Sequence, residues 1–260
     1  ETMRIVQITD LHVDSTELTP YGIDVWAHAR WAIEASRTTQ PDVVVISGDV
    51  ALHMGNHETY TEAQALFSLL DCPLYLIPGN HENRALFSQA FGPRYTRSIE
   101  APWLDYTVTD TPTPMVFLDS ADAVLSNRQL IWLQESLRTI GNNRRIVWIH
   151  HPVLTGFHRY MDGAYRLKNA DAIRDILAFD NTETVVFCGH YHYEHTAQYR
   201  NITQYCTPST YVQIDPSSPT FQVLSREPAI RIIDVPATGP IETTVTYQII
   251  GCYVFVSSVG

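Results

Sequence analysis

Five separate segments of this chain place a metal-binding side chain directly after a run of apolar or β-branched residues. Asp, His and Asn together offer the mixed oxygen and nitrogen ligands that suit Mn, Fe or Zn. Chance readily explains one such arrangement but not five. The five motifs are Asp10-Leu11-His12, Gly48-Asp49, Gly79-Asn80-His81, His150-His151-Pro152 and Gly189-His190-Tyr191-His192.

Two cations held close together need a shared anion that offsets their repulsion, and Asp49 is the only carboxylate of its motif. We therefore predict that Asp49 bridges two ions. The predicted ligands of the first ion are Asp10, His12 and His192, and those of the second are Asn80, His150 and His190. In the Gly-His-X-His motif, extended geometry directs both histidines to the same side.

Two metal ions about 3.5–4 Å apart polarise a phosphate and stabilise the attacking and leaving oxygens. They also make a bridging water or hydroxide nucleophilic at neutral pH. The step left to the protein is protonation of the departing alkoxide, and we predict His81 as this catalytic acid. We expect substrate contacts from Asn80, His81, His192 and His151. The chemistry predicted from the motifs is thus phosphoester hydrolysis.

The elements that must position these motifs alternate between strands and helices. The predicted strands are Met3–Thr9, Val43–Ser47, Pro73–Pro78, Arg145–Ile149 and Thr184–Cys188. Four amphipathic helices are predicted between them: one over about 22–38, one that follows a Thr59/Glu62 capping box, one that follows a Ser126/Gln129 box, and one with Ala170, Ile173 and Leu177. This order predicts a largely parallel sheet, with the ligands at the carboxyl ends of its strands.

Beyond Tyr193 the pattern changes to short alternating runs, which predict an antiparallel region that forms a second sheet packed on the first. The runs are Glu194–Tyr199, Asn201–Cys206, Thr220–Leu224, Ala229–Val235 and Thr243–Ile249. We expect a single domain over 1–260, with a core over about 3–235 and a C-terminal strand and apolar tail over about 241–260.

Composition and charge limit the partners. The 260 residues are 45% hydrophobic and 17% charged with a net charge of −11, and no basic cluster offsets this balance, which argues against a nucleic-acid polymer. No apolar stretch approaches the ~20 residues that cross a bilayer, so we expect no membrane partner and a cytoplasmic location. Four cysteines without CxxC spacing are expected to be reduced and buried.

The five motifs, in this order, resemble the calcineurin-like metallophosphoesterase superfamily over roughly Met3 to Val235. Within this range, Leu167–Ile173 and Thr207–Thr210 with Gln213 are similar to the class III cyclic nucleotide phosphodiesterases, the bacterial 3′,5′-cyclic AMP group. The resemblance implies a four-layer αββα sandwich, in which two packed mixed β-sheets are flanked by helices. It also implies a centre of two Fe, Mn or Zn ions, hydrolysis of cyclic AMP to AMP, and a homodimer.

One residue departs from the family pattern, and several histidines lie outside the predicted site. Glu82 stands where the family usually has Asp, a change that is expected to affect how His81 is oriented. A second Gly-Asn-His-Glu run begins at Gly55, in a loop that leads to a helix, so we expect His53 and His57 at the rim of the site. The loop over His158–Tyr160 is a candidate cover for it.

Two alternatives to a cyclic nucleotide phosphodiesterase stay open. The first is a phosphatase or phosphodiesterase of the same fold that acts on another small ester, such as a glycerophosphodiester. The second is a non-catalytic scaffold, which is disfavoured because every predicted ligand is present.

Overall fold

The computed structural model describes residues 2–14, 20–95 and 103–248, which form thirteen strands and six α-helices. The strands are β1 (Thr2–Ile8), β2 (Val43–Ile46), β3 (Leu74–Leu76), β4 (Tyr106–Val108), β5 (Met115–Leu118), β6 (Arg145–Ile149), β7 (Thr184–Cys188), β8 (His195–Tyr199), β9 (Ile202–Cys206), β10 (Gln213–Ile214), β11 (Val223–Ser225), β12 (Ala229–Pro236) and β13 (Glu242–Tyr247). The helices are α1 (Val25–Thr38), α2 (His57–Phe67), α3 (Arg84–Tyr95), α4 (Asn127–Ile140), α5 (Arg159–Ala164) and α6 (Ala170–Leu177).

Two mixed sheets carry the fold. The first has the strand order β13-β12-β1-β2-β3, and the second has the order β4-β5-β6-β7-β9-β8. Parallel pairing joins β1 to β2 and β2 to β3 in the first sheet, and it joins β5, β6, β7 and β9 in the second. The strands β10 and β11 form a separate two-stranded ribbon.

An aromatic stack fills part of the space between the two sheets. The ring centroids of Tyr106 and Phe117 are 4.4 Å apart, and those of Trp148 and Phe187 are 4.9 Å apart. The outer face of the first sheet packs against α1, α2 and α3, and that of the second packs against α4 and α6. The predicted four-layer αββα sandwich is confirmed, and fully buried strands such as β2 and β5 are apolar on both faces for this reason.

The five motif-bearing strands are present, but they do not share one sheet. Strands β1, β2 and β3 belong to the first sheet, whereas β6 and β7 belong to the second. The separate antiparallel sheet predicted beyond Tyr193 is wrong, because β8 and β9 extend the second sheet while β12 and β13 extend the first. Alternation of apolar residues shows which face of a strand is buried, but it does not identify the strand's neighbour.

The sequence predicts the wrong N-terminal cap for one helix and does not predict two other helices. The Thr59/Glu62 box is wrong, because Asn56 caps α2 by accepting a hydrogen bond from the Thr59 backbone N–H. The Ser126/Gln129 box of α4 is confirmed in both directions. Helices α3 and α5 were not predicted. The predicted tail after residue 248 and Cys252 lie outside the described residues.

Two smaller predictions concern the cysteines and membrane crossing. Cys188 and Cys206 are buried, Cys72 is half-buried, and all three are free. Within the described ranges, no helix combines the length and the hydrophobicity that a membrane crossing requires.

Asp105, a buried carboxyl before β4, provides a test of the fold's pH dependence. Its Oδ1 accepts hydrogen bonds from the Asp119 backbone N–H at 2.9 Å and from Gln129 Nε2 at 3.3 Å. Burial, together with the nearby Asp119 carboxylate, raises the pKa of Asp105 to about 7. The folded chain therefore binds a proton that the unfolded chain has already released between about pH 4 and pH 7, so this group lowers stability as the pH rises.

We expect Asp105→Asn to remove this contribution, because an amide keeps the Oδ1 acceptor without ever ionising. Urea unfolding of both proteins from pH 4 to pH 7 should show a difference that grows by up to a few kcal/mol in favour of the variant. Parallel stability profiles for the two proteins would show that Asp105 ionises normally in the folded state.

Candidate metal centre

The five motifs converge at one end of the sandwich, where loops from the two sheets face each other. Hydrogen bonds join the loops across the sheets. His190 N–H donates to Asp10 Oδ2 at 3.0 Å, and His150 Nδ1 donates to the Ser47 carbonyl at 2.9 Å. The structure thus brings together side chains that lie as many as 182 positions apart in the sequence.

Two groups of ligand atoms lie side by side. One contains Asp10, His12 and His192, and the other contains Asp49, His150 and His190; within each group the ligand atoms lie within 4.8 Å of one another. Oδ2 of Asp49 is 3.2 Å from His150 Nε2 and 3.8 Å from His12 Nε2. This atom therefore lies between the two groups, where a shared ligand is needed.

Backbone carbonyls fix the tautomer of three of these histidines. The ring nitrogen Nδ1 of His150 donates to Ser47, Nδ1 of His192 donates to Val212 at 2.8 Å, and Nε2 of His190 donates to Tyr165 at 2.9 Å. A carbonyl only accepts, so the opposite nitrogen of each neutral ring carries a free lone pair. Such contacts orient metal-binding histidines before the ion arrives.

Three buried side-chain atoms of the centre make no hydrogen bond within the described residues: His12 Nδ1, Asn80 Oδ1 and His150 Nε2. The contact of His150 Nε2 with Asp49 Oδ2, at 3.2 Å, is an ion-pair contact. An unpaired buried polar atom costs free energy, and coordination of a cation removes this cost. With two carboxylates and oriented imidazoles around them, the residues fit a pair of divalent ions.

Electrostatics in the centre favour positive charge. Burial alone would lower the pKa of His150, but the carboxylates of Asp49 and Asp10 raise it to about 10. Although burial opposes ionisation of Asp49, the positively charged ring of His150 holds the pKa of this carboxyl well below its usual range. Burial lowers the pKa of His12 and of His190 to about 3, so both rings stay neutral and able to ligate.

Backbone strain is concentrated at the same residues. The described part of the chain has ten residues other than glycine with positive φ, and five of them are predicted ligands: Asp10 (54°), His12 (47°), Asp49 (50°), His190 (65°) and His192 (49°). Residues rarely adopt this conformation unless their surroundings impose it, and functional sites are where it collects. The turns after β1, β2 and β7 thus direct these side chains inwards at a conformational cost.

Two glycines allow the loops to approach closely. A Cβ atom at Gly79 would overlap the Asp49 carboxylate, and one at Gly189 would overlap Thr9 Oγ1 and the Asp10 carboxylate. Neither glycine has a positive φ, so the reason for glycine is space rather than conformation.

Glu82 ties the loop after β2 to the loop after β3. Its buried carboxylate accepts hydrogen bonds from the backbone N–H groups of Asp49 (3.0 Å), Ala51 (3.1 Å) and Gly79 (2.5 Å). Glu82 was expected to affect how His81 is oriented. Its hydrogen bonds instead position the backbone that carries the predicted ligands Asp49 and Asn80.

His81 lies on the wall of the cavity beside the ligands. Its Nδ1 donates to the Leu52 carbonyl at 2.6 Å, and its Nε2 is 3.9 Å from Asp49 Oδ2. The ring is about one-third exposed, unlike the buried ligands. Nε2 is therefore the atom available to exchange a proton with a bound molecule.

His151 does not reach the cavity. It is 1% exposed, its Nδ1 shares a hydrogen bond with Ser120 Oγ at 2.8 Å, and its ring centroid is 4.1 Å from that of His190. The expected substrate contact does not fit this place, because the side chain is enclosed behind a ligand. His151 instead packs against His190 and limits its movement.

A cavity of about 780 Å³ opens beside the centre, and sequence reasoning missed most of its wall. His12, Asp49, Asn80, His81, His190 and His192 line one part. Apolar and aromatic residues line the rest; the aromatic ones are Tyr21, Tyr160, Tyr165, Tyr211 and Phe221, and the others are Leu52, Met161, Val212 and Ile214. Only Tyr160 belongs to a loop that the sequence indicated as a cover. Of the two histidines expected at the rim, the exposed His53 lines the cavity and His57 does not.

Comparisons with known proteins agree with this geometry. Residues 3–194 match the family model of calcineurin-like phosphoesterases. A probable cyclic nucleotide phosphodiesterase from Fibrobacter succinogenes is 30% identical over 234 residues, which cover 90% of each chain. The glycerophosphodiester phosphodiesterase GpdQ from Enterobacter lignolyticus is 30% identical over 221 residues, which cover 82% of this chain and 79% of that protein. The fold is similar to that of a dimetal phosphatase from Danio rerio, with a TM-score of 0.67 and 15% identity over 95% of this chain and 99% of that one.

Proposed function

This chain belongs to the calcineurin-like phosphoesterase family, and from that membership we propose that it hydrolyses a 3′,5′-cyclic nucleotide, converting cyclic AMP to AMP. The observation that carries the proposal is the pairing of the two ligand groups on either side of Asp49 Oδ2. A cavity large enough for a nucleotide opens directly onto them.

The residues proposed to hold the ions are those of the two groups, together with Asn80. Asp10, His12 and His192 would hold one, Asn80, His150 and His190 would hold the other, and Asp49 would contact both. When bound, two divalent ions polarise the phosphate and supply a strong nucleophile at neutral pH. Mn, Fe and Zn all suit this mixture of carboxylate, imidazole and amide ligands.

His81 is the proposed catalytic acid. Because Nδ1–H is committed to the Leu52 carbonyl, the protonated ring has one free N–H, at Nε2, which faces the cavity. As the bond between phosphorus and O3′ breaks, Nε2 gives its proton to O3′, and the ring remains as the Nδ1–H tautomer. The leaving oxygen thus departs as a hydroxyl group and the product is the 5′-monophosphate.

Asn80 and His192 line the same cavity, so substrate contact from both stays within the proposal. Asn80 has the more exposed position of the two, since His192 is only 6% exposed.

The glycerophosphodiester alternative has one observation in its favour, namely the similarity to GpdQ. Glycerol esters, however, present no ring to the aromatic wall of the cavity. The cyclic nucleotide is therefore the preferred substrate class.

The test is turnover of both substrate classes under one metal condition. The full chain, loaded with Mn, should convert cyclic AMP to AMP with a kcat/KM at least about tenfold above that for a glycerophosphodiester, as measured by product chromatography. The opposite order would make glycerophosphodiesters the substrates. No turnover of either class at full metal occupancy would favour the non-catalytic scaffold.

Three finer expectations stay predictions. They are the identity of the metals in the cell, a cytoplasmic location and homodimerisation.

A further inference from the structure

The part of the cavity away from the ligands is walled by a continuous series of aromatic rings. The centroid distances are 6.2 Å from Tyr211 to Tyr21, 5.6 Å from Tyr21 to Phe221, 6.0 Å from Phe221 to Tyr160 and 5.3 Å from Tyr160 to Tyr165. These side chains come from separate loops and a helix, so no single element explains their meeting.

Both ends of this aromatic wall are attached to predicted ligands. The Tyr211 ring lies 5.2 Å from the His12 ring, and the Tyr165 carbonyl accepts the hydrogen bond from His190 Nε2. The aromatic wall and the metal centre are therefore continuous parts of one cavity.

Tyr21 is held in place at a conformational cost. Its backbone is left-handed, with φ of 56° and ψ of 21°, and Arg226 Nε donates to its carbonyl at 3.0 Å. The side chain is nonetheless 51% exposed. The ring packs against Tyr211 and Phe221 on one side, and about half of the residue stays uncovered by the described chain, so it offers apolar surface to a ligand in the cavity.

Charge is distributed unevenly around the cavity. Among the described lining residues, the carboxylate and the histidines belong to the metal end or, in the case of His53, to the rim. The aromatic wall contributes no Lys, Arg, Asp, Glu, Asn or Gln. Its polar atoms are tyrosine hydroxyls, and that of Tyr160 is already bonded to that of Tyr165 at 3.1 Å.

We propose that Tyr21, Phe221 and Tyr160 form a stacking site for the nucleobase of the substrate, an inference that rests on the proposed function. Stacking on aromatic side chains is tolerant of base identity, because every base has a π-face. Without amide or charged groups that read the edge of the base, the site accepts adenine and guanine with kcat/KM values that differ by less than about a hundredfold.

The test compares two inhibitors that share a phosphate but differ in the base. Inhibition constants of AMP and of ribose 5-phosphate are measured against whichever diester the Mn-loaded full chain hydrolyses. The variants are Tyr21→Ala and Phe221→Ala, with Tyr21→Phe as the conservative change. Phe179→Ala is the matched control, because Phe179 is 89% exposed and lies outside this cavity.

We expect each alanine variant to raise the inhibition constant of AMP by about tenfold, while the inhibition constant of ribose 5-phosphate changes by less than about twofold. Tyr21→Phe should retain AMP affinity, and Phe179→Ala should alter neither constant. Equal inhibition by the two compounds in the unaltered protein, or equal losses for both in the variants, would overturn the stacking site.

Failure of this inference and failure of the proposed function give different results. If both alanine variants hydrolyse cyclic AMP with an unchanged KM, the stacking site is rejected and the proposed activity is retained. If AMP inhibits more strongly than ribose 5-phosphate but no cyclic nucleotide is hydrolysed, the stacking site is supported and the proposed substrate is rejected.

Discussion

Asp49→Asn is expected to abolish the activity by removing the bridging charge. The amide keeps Oδ1, which accepts the His81 backbone N–H at 3.0 Å, but it replaces Oδ2, the atom that lies between His150 and His12. A neutral nitrogen neither bridges two cations nor offsets their repulsion. Loss of several kcal/mol of stabilisation corresponds to a fall in kcat/KM of more than about a thousandfold. Metal content after dialysis and turnover of cyclic AMP are the measurements.

The same substitution at Asp105 is the matched control, since it changes a buried carboxyl that lies in the Asp119–Gln129 hydrogen-bond network rather than in the metal centre. Asp105→Asn should retain two metal equivalents and unaltered turnover. Thermal unfolding of the metal-free proteins separates loss of ligation from loss of folding. If Asp49→Asn kept both metal equivalents and normal turnover, a bridging role for Asp49 would be untenable.

The sequence was most informative where local rules apply. A polar ligand after an apolar strand is readable because the carboxyl end of a strand in an α/β fold leads into a loop that lines a site. Six of the seven predicted ligands lie together, as the contacts around Asp10 and Asp49 show, and the seventh, Asn80, lines the cavity beside them. Their roles stay predictions until metal binding is measured, and so does the single-domain organisation.

Sequence reasoning failed where the answer depends on partners that are distant in the chain. The pairing of β12 with β1 and of β9 with β7 leaves no local signal in the sequence. The sequence therefore does not show which strands belong to which sheet. The aromatic wall was missed for the same reason, since Tyr21 and Phe221 are two hundred positions apart and each alone resembles an ordinary surface or core residue. The Glu82 carboxylate was placed near the site, but its three backbone donors are visible only in the fold.

His81→Asn is expected to lower kcat for cyclic AMP by about 10²- to 10⁴-fold while leaving the metal content intact. The asparagine amide is able to donate to the Leu52 carbonyl in place of Nδ1–H, but nothing replaces Nε2, which the proposed proton transfer requires. The loss should be much smaller for an aryl diester, because an aryloxide departs without a proton. Turnover of both substrates by the same metal-loaded preparation measures the difference directly.

The outcome also decides between two roles that the geometry allows for His81. Its ring belongs to a third group of potential ligand atoms, with His12 and Asp49, in which the ligand atoms lie within 4.8 Å of one another. A ligand that is removed reduces metal content and slows both substrates alike, whereas a proton donor that is removed slows mainly the substrate with the poor leaving group. His57→Asn is the matched control, since His57 begins α2 and does not line the cavity. If His81→Asn lowers turnover of both substrates equally and lacks one metal ion, His81 is a metal ligand and not the catalytic acid.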